Sequence, residues 1–240
     1  VYVWFKDGAG NVSSSASDEI TLIINDTTNP SNPTIIANNG DSSTSSTAVT
    51  LALSATDNVG ITAYYASENN STPTSNASGW NSVTSSATYS DNVSFSLAST
   101  GSAGTFSKTV YIWFKDATGN VSSYSSDAIN LVVTDTTAPA SPSISINSGA
   151  DNTTSSDVTL TLSATDSEGV TGYYASESST APANNASGWT SVTSSNSYSD
   201  NVSFSFSNVS SFGTHSRTVY VWYKDAAGNV SVSASDVISL

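Results

Sequence analysis

The sequence predicts an all-β protein made of tandem sandwich domains. Three observations carry that expectation. A block of conserved pattern returns at a constant interval, the residue usage favours pleated surfaces, and short runs of alternating apolar residues are separated by turn signals.

The repeat is the strongest of the three. Val1 to Leu22, Val110 to Leu131 and Val219 to Leu240 match block for block, each start 109 residues after the last. Other landmarks keep that offset without a gap: Asp26 with Asp135, Pro30 with Pro139, Asp57 with Asp166, Trp80 with Trp189, Asp91 with Asp200. Solenoid repeats run only about 20 to 50 residues. A period of 109 instead suits one β-sandwich of about 100 residues with its own core. The expected division is 1–25 as the closing hairpin of a preceding repeat, 26–134 as one repeat and 135–240 as the next. An isolated hairpin is marginal in water, so residues 1–25 read as part of a longer array or as a segment completing a neighbour.

Residue usage agrees. Charged residues are 10% of the chain, against about a quarter in ordinary globular domains. Hydrophobic residues at 37% and aromatics at 10% are enough to build cores, which argues against disorder. Ser and Thr are abundant, and Thr, Val, Ile, Tyr and Trp favour strands.

The strands of one repeat follow in order. Pro33–Asn38 reads as strand A. Ala48–Thr56 alternates, with Val49, Leu51, Leu53 and Ala55 on one face, as strand B. Ile61–Ser67 reads as strand C. A polar loop with Pro73 and Gly79 leads to Trp80 and a short strand near Val83. Tyr89–Ala98 gives another strand, Ser107–Lys115 strand F and Ser125–Thr134 strand G. That makes about seven short strands, with turn signals at the spacing of a sandwich. The F–G connection, Lys115-Asp116-Ala117-Thr118-Gly119-Asn120, has Asp to open the turn and Gly for positive φ. The linker Asp135-Thr136-Thr137-Ala138-Pro139 is stiffened by its proline.

The Asp-Thr-Thr-Ala-Pro linker, the Ala-Thr-Asp closing strand B and the Val-Tyr-Val-Trp-Phe-Lys-Asp-x-x-Gly-Asn-Val-Ser hairpin together resemble bacterial immunoglobulin-like repeats, close in shape to fibronectin type III domains. The resemblance covers the whole chain and is specific for fold. It implies large surface proteins, adhesins, extracellular filaments, or spacers of secreted polysaccharide-active enzymes. Fold alone does not choose among them.

Charge narrows the partners. Nineteen acids against five bases give a net charge of -14. Nucleic acid and anionic membrane surfaces call for the opposite sign, so cations are the natural partners. No run of about 18 apolar residues is present to span a bilayer. The chain holds no Cys and no Met, so disulfides do not hold the fold and the easiest oxidation targets are missing. Missing cysteine alone does not choose a compartment; the lack of both sulfur residues fits an extracellular or cell-surface setting.

Two constellations are candidate sites. In an immunoglobulin-like sandwich the linker, the B–C connection and the F–G turn share one end. That groups Asp26, Asp57 and Asp116, with Asn120 beside them, and again Asp135, Asp166 and Asp225 with Asn229. Ca2+ takes six to eight oxygens of such kinds, and the resemblance implies calcium at repeat ends. The plainer alternative is that each Asp caps its own turn, with Lys115 or Lys224 offsetting the charge. The second constellation is aromatic. If Val110, Ile112 and Phe114 face the core, then Tyr111 and Trp113 face outward, as do Tyr2, Trp4, Tyr220 and Trp222. Such a stripe would bind sugars or a neighbouring chain, or its rings would cover one another across strands.

Catalysis is not expected. The single histidine, His215, corresponds to Phe106 in the other repeat, and no Cys exists. A carboxylate pair repeated at each repeat end, without an enclosed cleft, is a poor glycosidase site. The expected role is a structural segment of a surface stalk, adhesin shaft or filament, with calcium at the repeat ends and partners among its own repeats, other subunits, glycans or a cell surface. The alternative is a carbohydrate-binding or spacer module of a secreted enzyme.

Overall fold

A computed structural model describes residues 1–207 and 213–240. Residues 1–22 form a small hairpin of β1 (Tyr2–Val3) and β2 (Ala16–Ser17), extended by a bridge between Lys6 and Val12. Its turn is closed by Asp7, which accepts the N–H groups of Ala9 and Asn11 and the Asn11 side-chain amide. Those bonds, the Asn11 amide first, hold the Asp7 carboxyl below its ordinary range. Val1, Val3, Phe5, Ile20 and Leu22 are exposed, whereas their counterparts Val110, Ile112, Phe114, Ile129 and Leu131 are fully buried. The turn therefore forms from local chemistry, while the apolar face needs further strands to cover it.

Six strands build the next repeat: β3 (Ser31–Ala37), β4 (Ser43–Thr44), β5 (Ala48–Ser67), β6 (Asn81–Ser96), β7 (Gly104–Asp116) and β8 (Ser125–Val133). Their order is β3-β5-β7-β8-β4, with β6 also paired to β5. The last contains β9 (Ala140–Ile146), β10 (Asp157–Ser176), β11 (Thr190–Ser205), β12 (Ser216–Asp225) and β13 (Ala234–Ser239), ordered β11-β10-β12-β13 with β9 on β10. Each is an all-β, immunoglobulin-like sandwich.

One expectation is corrected. Strands B and C are not two strands with a loop between them. They are the continuous 20-residue strands β5 and β10, and the expected short strand and its successor likewise merge into β6 and β11. Both halves of each long strand pair with β6 or β11, but on the other side they have different partners. In β10, Leu160 to Thr165 pair with β9, while Val170 to Ser176 pair with β12. Side chains of both halves enter one core, where Leu160, Leu162 and Val170 meet Ile146, Val219, Val221, Tyr223 and Ile238. The long ribbon thus supplies strands to both layers.

The chain turns there by bulging rather than breaking. The register of β5 against β6 shifts between Thr56 and Ile61. Asp57 Oδ2 accepts the freed N–H groups of Val59 and Gly60 at 2.9 and 2.7 Å. Gly60 has φ +143°, and a Cβ there would come within 2.5 Å of Ser85 Oγ. Asp166 treats Glu168 and Gly169 in the same way. A β-bulge of this kind adds local twist, here at a buried carboxylate.

A second carboxylate manages an edge. Asp127 Oδ2 accepts the N–H of Ala37 and Asp236 Oδ2 that of Ile146, both at 2.8 Å. Each closes the open side of the first strand of its repeat with a side chain from the last, so that a strand-end donor is not left for another chain to pair.

The core phenols have a pH signature. Burial pushes the Tyr89 and Tyr198 hydroxyls up to about 12, with the Asp91 and Asp200 charges adding to it. Burial also raises Tyr223. The folded state therefore keeps protons that the unfolded chain releases near pH 10. Stability from these groups is complete below about pH 10 and lost as pH rises through about 12. A tyrosinate absorbance titration is expected to show a late class that ionises together with loss of strand circular dichroism. Titration of every phenol near pH 10 in a folded chain would contradict this.

Candidate metal centre

Three elements bring the carboxylates together. Asp26 precedes β3 in the linker, Asp57 lies in the β5 bulge and Asp116 ends β7. One oxygen from each lies within 4.8 Å of the others, and Asp135, Asp166 and Asp225 form the same cluster in the next repeat. The six aspartates expected from sequence are thus grouped three by three.

The plain turn-cap reading explains only part of the bonding. Asp116 is fully used: Oδ1 takes the N–H groups of Thr118 and Asn120, and Oδ2 takes the Asn120 amide at 2.6 Å. Asp57 is different. One oxygen caps the bulge, yet Oδ1 is buried with no hydrogen-bond partner, in a residue only 7% exposed. Asp166 is 6% exposed and leaves Oδ2 in the same condition. Asp26 Oδ2 and Asp135 Oδ2 are also buried and unpartnered. A buried acceptor without a donor is costly, and convergent carboxylates repel. A divalent cation relieves both at once, and an all-oxygen set suits a hard ion such as Ca2+.

The lysines do not supply that charge. Lys115 Nζ donates to the Ser75 carbonyl and lies 4.8 Å from the centre of the Trp80 ring. Lys224 repeats this with the Asn184 carbonyl and Trp189. Their expected role as counter-charges is therefore corrected. Asn120 and Asn229, named among the candidate ligands, enter as donors. The Asn120 amide nitrogen bonds Asp116 Oδ2 and the Asp26 carbonyl, and Asn229 does the same to Asp225 and Asp135. They brace the linker against the turn. Two residues outside the expected ligand set also take part. Asn58 donates to Asp26 Oδ1, and the Thr118 hydroxyl lies on Asp116 and the Asp26 carbonyl. The Thr28 N–H first, and then Asn58, hold the Asp26 carboxyl below its ordinary value. The only sequence signal for Asn58 and Thr118 is their placement beside motif aspartates.

The aromatic stripe is corrected more strongly. Trp113 is 0% exposed and Trp222 2%, while Tyr111 and Tyr220 are half-buried. Tyr65, Tyr111 and Tyr124 pack around Trp113, with Trp80 against Tyr65, and Tyr174 and Tyr220 pack around Trp222, with Trp189 against Tyr174. The rings cover one another across strands, forming a second, aromatic layer of packing behind β7 and β12. Only Tyr2 at 64% and Trp4 at 57% exposure match the outward expectation. Gly79 lies beneath Tyr65, where an added Cβ would run into the ring. Gly79→Ala is expected to destabilise the repeat by about 1–3 kcal/mol, read by urea denaturation; an unchanged midpoint would contradict the packing.

No family model matches the chain, and no curated protein does. Among solved structures it is similar to the fibronectin(III)-like modules of Clostridium thermocellum CbhA, at 9% identity, with 86% of this chain and 92% of that chain covered and a TM-score of 0.26.

Proposed function

We propose that this chain is a non-catalytic structural segment of an extracellular stalk, adhesin shaft or filament. Residues 26–134 and 135–240 are its repeats, residues 1–25 are a closing hairpin of the same kind, and each acidic cluster binds Ca2+. The observation that carries the reading is the recurrence, at the 109-residue offset, of three converging aspartates, two of which in each cluster keep a buried unpartnered oxygen. The mechanism is mechanical. Asp135 belongs to the linker that leads directly into β9, the first strand of its repeat. A cation joining Asp135 to Asp166 in β10 and Asp225 at the end of β12 cross-links the linker to the repeat body. Pull on the linker then loads those strands together instead of peeling β9 alone.

Partners on this reading are other repeats or subunits, with glycans or a cell surface as the attached target. Nucleic acid is not among them. Self-covered aromatic rings support the structural role over a sugar-binding one, because Trp113 and Trp222 have no free face. The reading is tested by equilibrium dialysis of the chain against calcium. One ion per cluster, two per chain, is expected, and Asp57→Asn and Asp166→Asn should each remove one. Binding of none overturns the metal-anchored stalk. The flanking coding sequence separates the stalk from the enzyme spacer: further repeats support the first, an adjoining catalytic domain the second.

A further inference from the structure

We propose that the two clusters are unequal, and that Asp135, Asp166 and Asp225 take a divalent cation at lower concentration than Asp26, Asp57 and Asp116. This rests on the reading of both as cation sites. The repeats share their aspartates but differ in what surrounds them.

In the first cluster two side chains partly neutralise the carboxylates. The Thr118 hydroxyl is 3.0 and 3.1 Å from the two oxygens of Asp116 and 3.2 Å from the Asp26 carbonyl. The Asn58 amide is 3.2 Å from Asp26 Oδ1. An entering cation must compete with both donors. In the second cluster, at the 109-residue offset, Ala227 stands for Thr118 and Ser167 for Asn58. Ala227 has no side-chain donor to offer, and among the described residues Asp135 Oδ1 accepts the Thr137 N–H alone, at 2.9 Å. The Asn229 amide is also a longer 3.3 Å from the Asp135 carbonyl, against 3.1 Å for Asn120 to Asp26.

Charge acts in the same direction. Val59 in the first bulge is replaced by Glu168 in the second; its carboxylate lies outside the three-aspartate group and accepts the Ala103 N–H, so it adds a nearby negative charge without being a ligand. A negative charge near the site favours a divalent cation through space. Asp166, 6% exposed with Oδ2 unpartnered, is the group whose desolvation the ion relieves. Fewer donors and more charge give the second cluster a dissociation constant about tenfold lower or more, the scale of one charge-assisted hydrogen bond. The linker at Asp135 is then anchored over a calcium range in which the linker at Asp26 is still free.

The experiment is isothermal titration of the metal-stripped chain with CaCl2. Two binding classes are expected. Asp166→Asn should abolish the tight class and Asp57→Asn the weak one, with circular dichroism confirming folded proteins. Thr118→Ala should tighten the weak class, and Ala227→Thr should weaken the tight one, each by several-fold. Equal dissociation constants in the two single-site variants, or a tight class lost with Asp57→Asn, would overturn the proposed order while leaving the cation reading intact. No calcium-dependent heat in any variant, with dialysis also negative, would overturn both.

Discussion

Saturating Ca2+ is expected to raise the thermal midpoint of the metal-stripped chain, and Asp57→Asn or Asp166→Asn to cancel the gain in the repeat that carries it. A ligand at about a hundred times its dissociation constant stabilises the folded state by about 2.7 kcal/mol. For a domain near 100 residues that is roughly 10–20 °C. The sign without metal is the sharper test. If Asp57 served only to cap Val59 and Gly60, the asparagine variant would be less stable with or without calcium, since an amide oxygen is a weaker acceptor than a carboxylate. A cation site predicts the opposite in EGTA. Removing one of three convergent negative charges offsets the weakened cap, so the metal-free repeat stays as stable as before or more so, and the loss appears in calcium. Differential scanning calorimetry in calcium and in EGTA reads both arms.

Trp113→Ala is expected to cost about 3–5 kcal/mol, enough to unfold a marginal repeat near physiological temperature. Trp113 is fully buried against Tyr65, Tyr111 and Tyr124, and truncation leaves a large cavity between rings. Trp4 occupies the matching position of the first block but is 57% exposed, so Trp4→Ala should change stability little. The pair is a direct contrast, because the surrounding sequence is nearly the same. Urea titrations followed by circular dichroism measure it; a cost below about 1 kcal/mol for Trp113→Ala would mean that the aromatic layer is not packing.

Much of this was legible in the residues. The period-two run Val49, Leu51, Leu53, Ala55 is buried as alternation requires, and so are Val110, Ile112 and Phe114. The constant offset marks corresponding positions, and the three aspartates of each set do converge. Other features depart from the local pattern for identifiable reasons. Alternation assigns faces but does not say that both are covered. Alternation therefore puts Trp113 outside, whereas a second layer of rings lies over that face. A polar Asp-Asn-Val-Gly stretch signals a turn. Yet Asp57 satisfies the freed N–H groups from its own side chain, so the chain bulges and β5 continues.

The sequence by itself determined the all-β class, the 109-residue unit, the apolar face of each strand and the identity of the clustered acids, because each depends on local pattern or on exact repetition. The tertiary structure decided which oxygens of those acids are left without donors, that the lysines turn to carbonyls and indole rings, and that the outer aromatics are buried. Those outcomes are set by contacts between residues far apart in the chain, such as Asp26 with Asn120 and Tyr65 with Trp113. Hydrogen-bond satisfaction and ring packing depend on the distances those contacts create, and no local pattern encodes them.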